Sequence, residues 1–309
     1  MAALKRAMVV VNKWWECDPV MNALLHEKAW AKGTFQRPLL SNLRYPHFRP
    51  QPKPSQPTDA AARAIYELTN TQIEIWCISD LLEHLSEEAS DQSSTERKAE
   101  QLPRIFAGNE PSLVIGVGTA GFPSEHSING CVIIGTGIFI HNPYSDGSNT
   151  NSNWRGGPFD QVIHSNLGPD LFARLTSATA DIYPRLAVAY NMPASKDELG
   201  ARADHSYVAL GEVNITDYKD YKWTDKQTVK AYRDCGHQAS PMSLETTHGL
   251  IRVQSSAPFM FVSGITDRVG HFDSEVSRNE YIQNMLAAHN AGVAIAAMIP
   301  KIDEAFADD

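Results

Sequence analysis

The stretch Leu113-Val114-Ile115-Gly116-Val117-Gly118-Thr119-Ala120-Gly121-Phe122 decides the fold, because an apolar run meets three glycines there in the spacing G-x-G-x-x-G. A dinucleotide-binding fingerprint with this spacing needs a helix after its third glycine, whose N-terminus holds a pyrophosphate. Here Pro123 follows at once, and the next apolar run, Ile128 to Ile140, predicts another strand. The glycines therefore indicate a turn between two strands, where a small ligand can approach bare backbone.

Composition limits the function classes. The chain has 309 residues, of which 42% are hydrophobic, enough for a sizeable core. Its 27 basic and 36 acidic residues give a net charge of −9, which argues against general nucleic-acid binding. We therefore expect a globular protein with a small-molecule partner and no nucleic-acid partner.

Cysteines and apolar runs indicate the compartment. The four cysteines lie far apart without a C-x-x-C pair, which argues against a zinc ribbon, a redox motif or a disulfide framework. The apolar stretch Ala7 to Val11 is too short for a signal peptide, and no run approaches the roughly 18 apolar residues of a membrane span. We expect a cytoplasmic protein with no membrane partner.

Strand and helix patterns alternate along the chain. This alternation predicts one α/β domain over residues 1–309, with a parallel or mixed sheet covered on both faces and insertions near 33–58 and 141–205. The predicted strands cover 8–11, 73–78, 113–117, 130–140, 185–190, 206–213 and 259–265, and the predicted helices cover 20–31, 60–68, 80–100, 167–183, 242–253 and 280–302.

The insertion at 33–58 is rich in proline and contains Arg37, Arg44 and Arg49. Such a composition is typical of a loop rather than a core element. Two interpretations stay open: a lid whose arginines contact an acidic group on the ligand, or a solvated loop or subunit contact.

Three motifs occur in a characteristic order. A strand runs into an acidic residue at a helix start over 9–16, ending at Glu16; the glycine motif follows at 118–121; and a C-terminal pair combines Met-Ser-Leu-Glu-Thr-Thr at 242–247 with Phe-Val-Ser-Gly-Ile-Thr-Asp at 261–267. Their order resembles the nucleoside phosphorylase superfamily, and more closely its 5'-methylthioadenosine/S-adenosylhomocysteine nucleosidase branch. The resemblance implies a three-layer α/β/α fold around a mixed, strongly twisted sheet, and cleavage of a purine N-glycosidic bond.

By this resemblance Asp267 is the acid that protonates purine N7 as the base departs. That role requires a carboxyl group kept protonated by its surroundings. The alternative is an aspartate that caps a helix or turn after a strand. Glu245, with Leu244 and Thr119 beside it, matches the ribose-binding position, where one carboxylate accepts both vicinal hydroxyls. A surface helix glutamate is the alternative for Glu245.

The nucleophile separates the two branches of the superfamily. Glu16 falls where the nucleosidases hold a glutamate that activates water, although an acidic residue also favours a helix N-terminus. Phosphorolytic relatives carry an arginine where this chain has Gly116, so its absence favours hydrolysis. The nucleosidases also keep an arginine where this chain has Ser263, and Arg252 or Arg268 are candidates to replace it.

The resemblance also assigns the remaining parts of the site. The base is expected to lie against Ala120 and Gly121 and against the segment containing Asn214 and Ile215. Neither a cofactor nor a metal is expected, and the partner is a nucleoside substrate. Family members are oligomers, so a homo-oligomer based on dimers or trimers is expected.

Four functions remain open, the fourth of them a dinucleotide-dependent oxidoreductase. The first is hydrolysis of a purine nucleoside or a 5'-modified purine nucleoside. The second is phosphorolysis to free base and ribose 1-phosphate. The third is a non-catalytic nucleoside-binding protein. It stays open because Ser243 stands where the family has a glutamate and Ser263 where it has an arginine.

Overall fold

The structure is a computed structural model that describes residues 4–26, 34–37, 62–83, 94–122, 128–141, 162–182, 185–186, 201–202, 206–210, 243–244, 246–276 and 280–307. The strands are β1 (Lys5–Val11), β2 (Thr34–Arg37), β3 (Ala64–Glu67), β4 (Thr71–Cys77), β5 (Leu113–Phe122), β6 (Val132–Gly135), β7 (Gly137–His141), β8 (Val162–His164), β9 (Ala201–Arg202), β10 (Ser206–Leu210), β11 (Ser243–Leu244) and β12 (Phe259–Arg268). The helices are α1 (Trp14–His26), α2 (Ile78–Glu83), α3 (Ser94–Phe106), α4 (Pro169–Ser177), α5 (Thr246–Gln254), α6 (Phe272–Glu275) and α7 (Glu280–Ala305).

One mixed sheet joins these strands. The order is β2-β3-β4-β1-β5-β11-β10-β7-β8, while β12 pairs with β5 and β6, and β9 pairs with β6. β5 lies at the centre, with β1 parallel to it on one edge and β12 parallel to it on the other. The pairs β2–β3, β3–β4 and β7–β8 are antiparallel. The predicted α/β class with a mixed central sheet is confirmed.

Helices cover both faces of the sheet. In β1, Val9 and Val11 belong to the core beneath α1 and α7, whereas Met8 and Val10 belong to the core beneath α3 and α5. All four side chains are at most 1% exposed. A strand buried on both faces is apolar at every position, which is why this segment reads as a continuous apolar run. The architecture therefore has three layers.

The long helix α7 is part of the core. Its segment Gln283–Ala305 is long and apolar enough to cross a membrane, but 72% of the apolar window is buried inside the structure. α7 packs closely on α1 and on β12, since a Cβ at Gly292 would lie 2.8 Å from the Cβ of Ala23. Its apolar character is therefore explained by packing within the protein.

The glycine motif differs from its prediction. Gly116, Gly118 and Gly121 do not form a turn between strands; they lie inside β5, which continues to Phe122. The reason is that β12 pairs with β5 along its length and supplies a partner to the last residue of the strand. Backbone pairing thus fixes the glycines as an extended, bare segment.

Other predicted elements also change. Residues 60–68 were predicted as a helix, but Ala64–Glu67 form β3, because pairing with β4 overrides the helix propensity of alanine. The predicted helix 242–253 starts later, since Ser243–Leu244 pair as β11 before α5 begins. A strand was predicted at 185–190, but Arg185 and Leu186 do not form one. The other residues of that range lie outside the described residues.

The insertions contribute to the sheet. Thr34–Arg37, predicted as loop, form the edge strand β2; residues 38–58, including Arg44 and Arg49, lie outside the described residues. Within 141–205 the chain supplies β8, α4 and β9, and both strands pair with core strands. The first helix begins at Trp14, earlier than the predicted 20–31.

Candidate active site

Glu16 lies in the first turn of α1, just beyond the end of β1. The last β1 residue, Val11, pairs with Val117, and α1 begins three residues later at Trp14. Glu16 is the third residue of that helix, and its Oε2 accepts a 2.9 Å hydrogen bond from the backbone N–H of Lys13. A glutamate at this position commonly bonds back to the residue that caps the helix. Oε2 of Glu16 therefore stabilises the start of α1.

The other half of Glu16 reaches β5. Its Oε1 accepts 2.8 Å hydrogen bonds from both the backbone N–H and the Oγ1 of Thr119. Thr119 lies two residues beyond Val117, the last β5 residue that pairs with β1, so the carboxylate takes the place of the missing strand. Glu16 is 0% exposed. A fully buried carboxylate is therefore held at the centre of the sheet by at least three donors.

β11 continues the same edge of β5. Because β12 occupies one edge, the antiparallel pair Ser243–Gly121 lies on the edge that β1 leaves. Leu244, the next residue, pairs with Ala209 of β10. Along this edge, β5 thus meets first β1, then the carboxylate of Glu16, and then the strand that carries Leu244.

Asp267 lies across β5 from β11. The register of β12 shifts between Ile265 and Asp267, so that Asp267 is placed opposite Gly121. A bulge of this kind redirects a side chain and is frequent beside active sites. Asp267 Oδ2 lies 3.3 Å from the position that a Cβ on Gly121 would occupy, and Oδ1 accepts a 2.5 Å hydrogen bond from Thr266 Oγ1. Only 4% of Asp267 is exposed.

The two carboxyl groups are therefore arranged along one strand. Glu16 is bonded at Thr119 and Asp267 lies beside Gly121, two residues further on. They lie on opposite edges of β5, with Glu16 on the edge that β1 leaves and Asp267 on the edge that pairs with β12. Cleavage of a glycosidic bond requires an acid and a base on either side of the reacting sugar carbon, and these are the two groups that the strand brings together.

The end of β12 is held by Glu275. Its Oε1 accepts a 2.5 Å hydrogen bond from Arg268 Nε, and its Oε2 accepts bonds from the Arg268 backbone N–H and from Asn129 Nδ2. Arg252 instead donates to the backbone carbonyls of Ser255 and His164. Both arginines proposed to replace the missing one are thus engaged elsewhere: Arg268 supports the strand that carries Asp267.

Four polar residues near the glycines were not predicted as a group. Asn12 Oδ1 accepts a 2.5 Å hydrogen bond from Thr247 Oγ1, which ties the end of β1 to α5. His248, beside Thr247, packs on Gly116 and Gly118, and Ser263 pairs with Gly118. One sequence signal could have indicated Asn12: it interrupts the apolar run directly after three valines.

Three predicted site residues lie outside the described residues: Glu245, Asn214 and Ile215. Their neighbours on one side are placed, since Leu244 pairs in β11 and Thr247 bonds to Asn12. Within the described part of the chain there is no group of three or more His, Cys, Asp or Glu residues that could hold a metal ion.

Comparison with solved structures identifies the fold. The nucleosidase from Colwellia psychrerythraea 34H, an enzyme named for 5'-methylthioadenosine and S-adenosylhomocysteine and solved with adenine, is 11% identical and covers 97% of this chain and 96% of its own, with a TM-score of 0.52. The chain has a nucleoside phosphorylase-like fold. No family model and no curated protein matches the sequence.

Two further structures share this nucleoside phosphorylase-like fold. The corresponding nucleosidase from Neisseria meningitidis, solved with methylthio-immucillin-A, is 14% identical over 96% of this chain and 100% of its own, with a TM-score of 0.53. Futalosine hydrolase from Helicobacter pylori strain 26695 is 10% identical over 96% and 98%, with a TM-score of 0.51. The expected nucleoside phosphorylase-like architecture is thus confirmed over nearly the whole chain.

Proposed function

We propose that this protein is a nucleosidase that hydrolyses the N-glycosidic bond of a purine nucleoside or a 5'-modified purine nucleoside. The observation that carries the proposal is the pair of buried carboxyl groups, Glu16 and Asp267, arranged along Thr119 to Gly121 of the central strand. The nucleoside-derived ligands named for two structures of the same fold support it. Fold alone does not define an activity, so the proposed activity rests on these side chains.

Asp267 acts as the acid in this proposal. Cleavage breaks the bond between C1' of the sugar and N9 of the purine, and the electron pair of that bond passes to the base. A proton delivered from Asp267 to N7 neutralises the departing base, a form of general acid catalysis. Burial beside Gly121, where no side chain intervenes, is compatible with a base lying against that backbone.

Glu16 acts as the base. Water attacks C1' as the sugar gains oxocarbenium character, and its proton passes to the Glu16 carboxylate. Hydrogen bonds from Thr119 and Lys13 hold this carboxylate in one orientation. Such preorganisation is worth more than charge alone, because the group need not be rearranged during the reaction.

The remaining contacts are assigned to the substrate's two halves. Glu245, Leu244 and Thr119 are proposed to bind the ribose, with Glu245 accepting its vicinal hydroxyls. The proposed base-binding residues are Ala120, Gly121, Asn214 and Ile215. The bare backbone of Gly121 supports close approach of a planar base.

Water is favoured over phosphate as the nucleophile. A Cβ at Gly116 would lie 2.6 Å from Cδ2 of His248, so an arginine at this position would displace that ring. Two arginines, Arg63 just before β3 and Arg268 at the end of β12, are already paired: Arg63 with Asp18 at 2.5 Å, and Arg268 with Glu275 at 2.5 Å. Phosphorolysis requires an anion clamp, and these guanidinium groups are already engaged by carboxylates.

Incubation with a nucleoside panel tests the proposal. Purine, 5'-modified purine and pyrimidine nucleosides are incubated with and without phosphate, and bases and sugars are separated by chromatography. We expect purine release that does not depend on phosphate. Release of ribose 1-phosphate would establish the phosphorylase alternative, and tight binding without base release would establish the non-catalytic alternative.

The compartment, the oligomeric state and the cofactor requirement are proposed as well. We propose a cytoplasmic homo-oligomer, based on dimers or trimers, that uses neither an organic cofactor nor a metal. Light scattering coupled to size-exclusion chromatography measures the oligomeric state. A monomer at micromolar concentration would contradict this part of the proposal without affecting the assigned chemistry.

A further inference from the structure

A polar row crosses the sheet at the level of Gly118. Val11, Val117 and Val262 are paired across β1, β5 and β12, and all three lie in the core beneath α1 and α7. One position further along, the residues are Asn12, Gly118 and Ser263. Because side chains alternate between faces, this next row points towards α5.

This polar row is deeply buried. Asn12 is 1% exposed and Ser263 is 0% exposed. Asn12 Nδ2 and Ser263 Oγ have no hydrogen-bond partner within the described part of the chain. Buried polar atoms in native proteins are normally satisfied, by an ordered water where no protein group is available. The row is therefore a polar layer within the core rather than simple packing.

α5 covers the row with two side chains. Thr247 donates to Asn12, and the imidazole of His248 fills the gap above the glycine backbone. His248 Cε1 lies 3.4 Å from the position of a Cβ on Gly118, and the whole residue is 1% exposed. The ring can take this place because residue 116 has no side chain, since a Cβ there would lie 2.6 Å from His248 Cδ2.

His248 and Glu16 both lie close to the Cβ position of Gly118. Glu16 Oε1 also lies 3.4 Å from the Gly118 Cβ position, so it is at most 6.8 Å from His248 Cε1. Interactions of a buried charge over this distance are much less screened than in water. The ring and the carboxylate therefore flank one bare residue of the central strand.

We propose that His248 is a positioning residue for the Glu16 carboxylate, acting across the bare backbone of Gly118. Its imidazole lies on the α5 side of Gly118, in the same buried polar row as Asn12 and Ser263. The proposal rests on the proposed function in one respect: Glu16 is the group that acts on water.

Kinetics of two His248 variants test this role. His248→Leu keeps a side chain of similar volume without ring nitrogens, and we expect kcat to fall about tenfold or more while KM changes less than about threefold. His248→Gln retains a polar group and is expected to recover most of the lost kcat. Ile251→Val, a buried change in the same helix, is the control and should leave kcat within about twofold.

A His248→Leu variant that is folded and has the parental kcat would overturn the proposal. Gly116→Ala provides an independent variant, because the new Cβ must displace the ring from 2.6 Å. It should lower kcat like His248→Leu, and the two changes together should cost less than the product of their separate effects. Fully multiplicative effects would also overturn the proposal.

A spectroscopic readout separates this proposal from the proposed function. Imidazole resonances of His248, assigned by their loss in His248→Gln, are compared between the parent and Glu16→Gln at one pH. We expect them to move in Glu16→Gln and to stay in place in Glu304→Gln, an exposed control. Unmoved resonances would overturn the proposal, whereas moved resonances in a protein that releases no base would contradict only the proposed function.

Discussion

Asp267 has two oxygens in different surroundings. Oδ1 is held by Thr266 Oγ1, while Oδ2 lies against the bare Gly121. Asp267→Asn preserves the shape of the side chain but removes the acidic proton, so we expect base release to slow by about 100-fold or more with the fold retained. Rates are measured by chromatography and folding by circular dichroism.

The control for this substitution is Asp170→Asn, which changes an exposed aspartate in the first turn of α4. It should leave base release at the parental rate. Equal rates for the parent and Asp267→Asn would remove Asp267 from the reaction, whatever the identity of the substrate.

Thr119 holds Glu16 through two donors. Thr119→Val keeps the backbone N–H bond and the side-chain shape but loses the 2.8 Å bond from Oγ1. Because this hydrogen bond reaches a carboxylate, its loss should lower the free energy of unfolding by about 1.5–3 kcal/mol and also lower kcat. Urea unfolding and base-release kinetics measure the two effects.

Thr119→Ser retains the hydroxyl group and serves as the matched variant. It should stay close to the parent in both measurements. If the valine and serine variants had the same stability and the same kcat, the hydroxyl group would have no role in holding Glu16.

Residues in separate motifs were predictable from the sequence, but their mutual support was not. Glu16, Thr119 and Asp267 each belong to a local pattern, and the structure places all three along β5. The bond between Asn12 and Thr247 joins residues 235 positions apart, and no local spacing encodes it. His248 was missed for the same reason, because its surroundings depend on two distant glycines.

At the scale of elements, β12 and α7 meet at Gly264. A Cβ there would overlap the carbonyl oxygen of Ala287 and lie 2.9 Å from its Cα, which are backbone atoms that cannot move aside without shifting the helix. Gly264→Ala should therefore lower the free energy of unfolding by about 3 kcal/mol or more. Chemical denaturation measures this change.

Gly168→Ala is the matched control, since no atom lies within 4 Å of the Cβ position of Gly168 and its φ is −61°. It should cost only about 1 kcal/mol or less, the usual effect of alanine at a helix N-cap. Similar losses in both variants would show that the close contact between α7 and β12 is not the cause of the lower free energy of unfolding in Gly264→Ala.

Helices and strands were predictable from the sequence where burial gives a clear pattern of apolar residues. They were less predictable where pairing with another strand decides the secondary structure. The runs at β1, β5 and β12 are apolar at nearly every position because helices cover both faces. β3 was mistaken for a helix, since its local composition favours helix and only pairing with β4 makes it a strand. β11, with two residues, is too short to have a period.

At the scale of the whole molecule, the fold is retained with little sequence identity. Structures only 10–14% identical align over at least 96% of this chain. Core packing tolerates extensive substitution when volume and patterning are kept, so different sequences can specify one architecture. What the sequence showed directly was the order of the motifs, and that order was sufficient to predict the fold.

The sugar product distinguishes hydrolysis by the Glu16 and Asp267 pair from phosphorolysis. A purine nucleoside that the protein accepts is followed by ¹H and ³¹P NMR in the presence of phosphate. We expect free base together with an unphosphorylated sugar, at a rate that does not change when phosphate is added. Appearance of ribose 1-phosphate, or a rate that rises with phosphate, would contradict it.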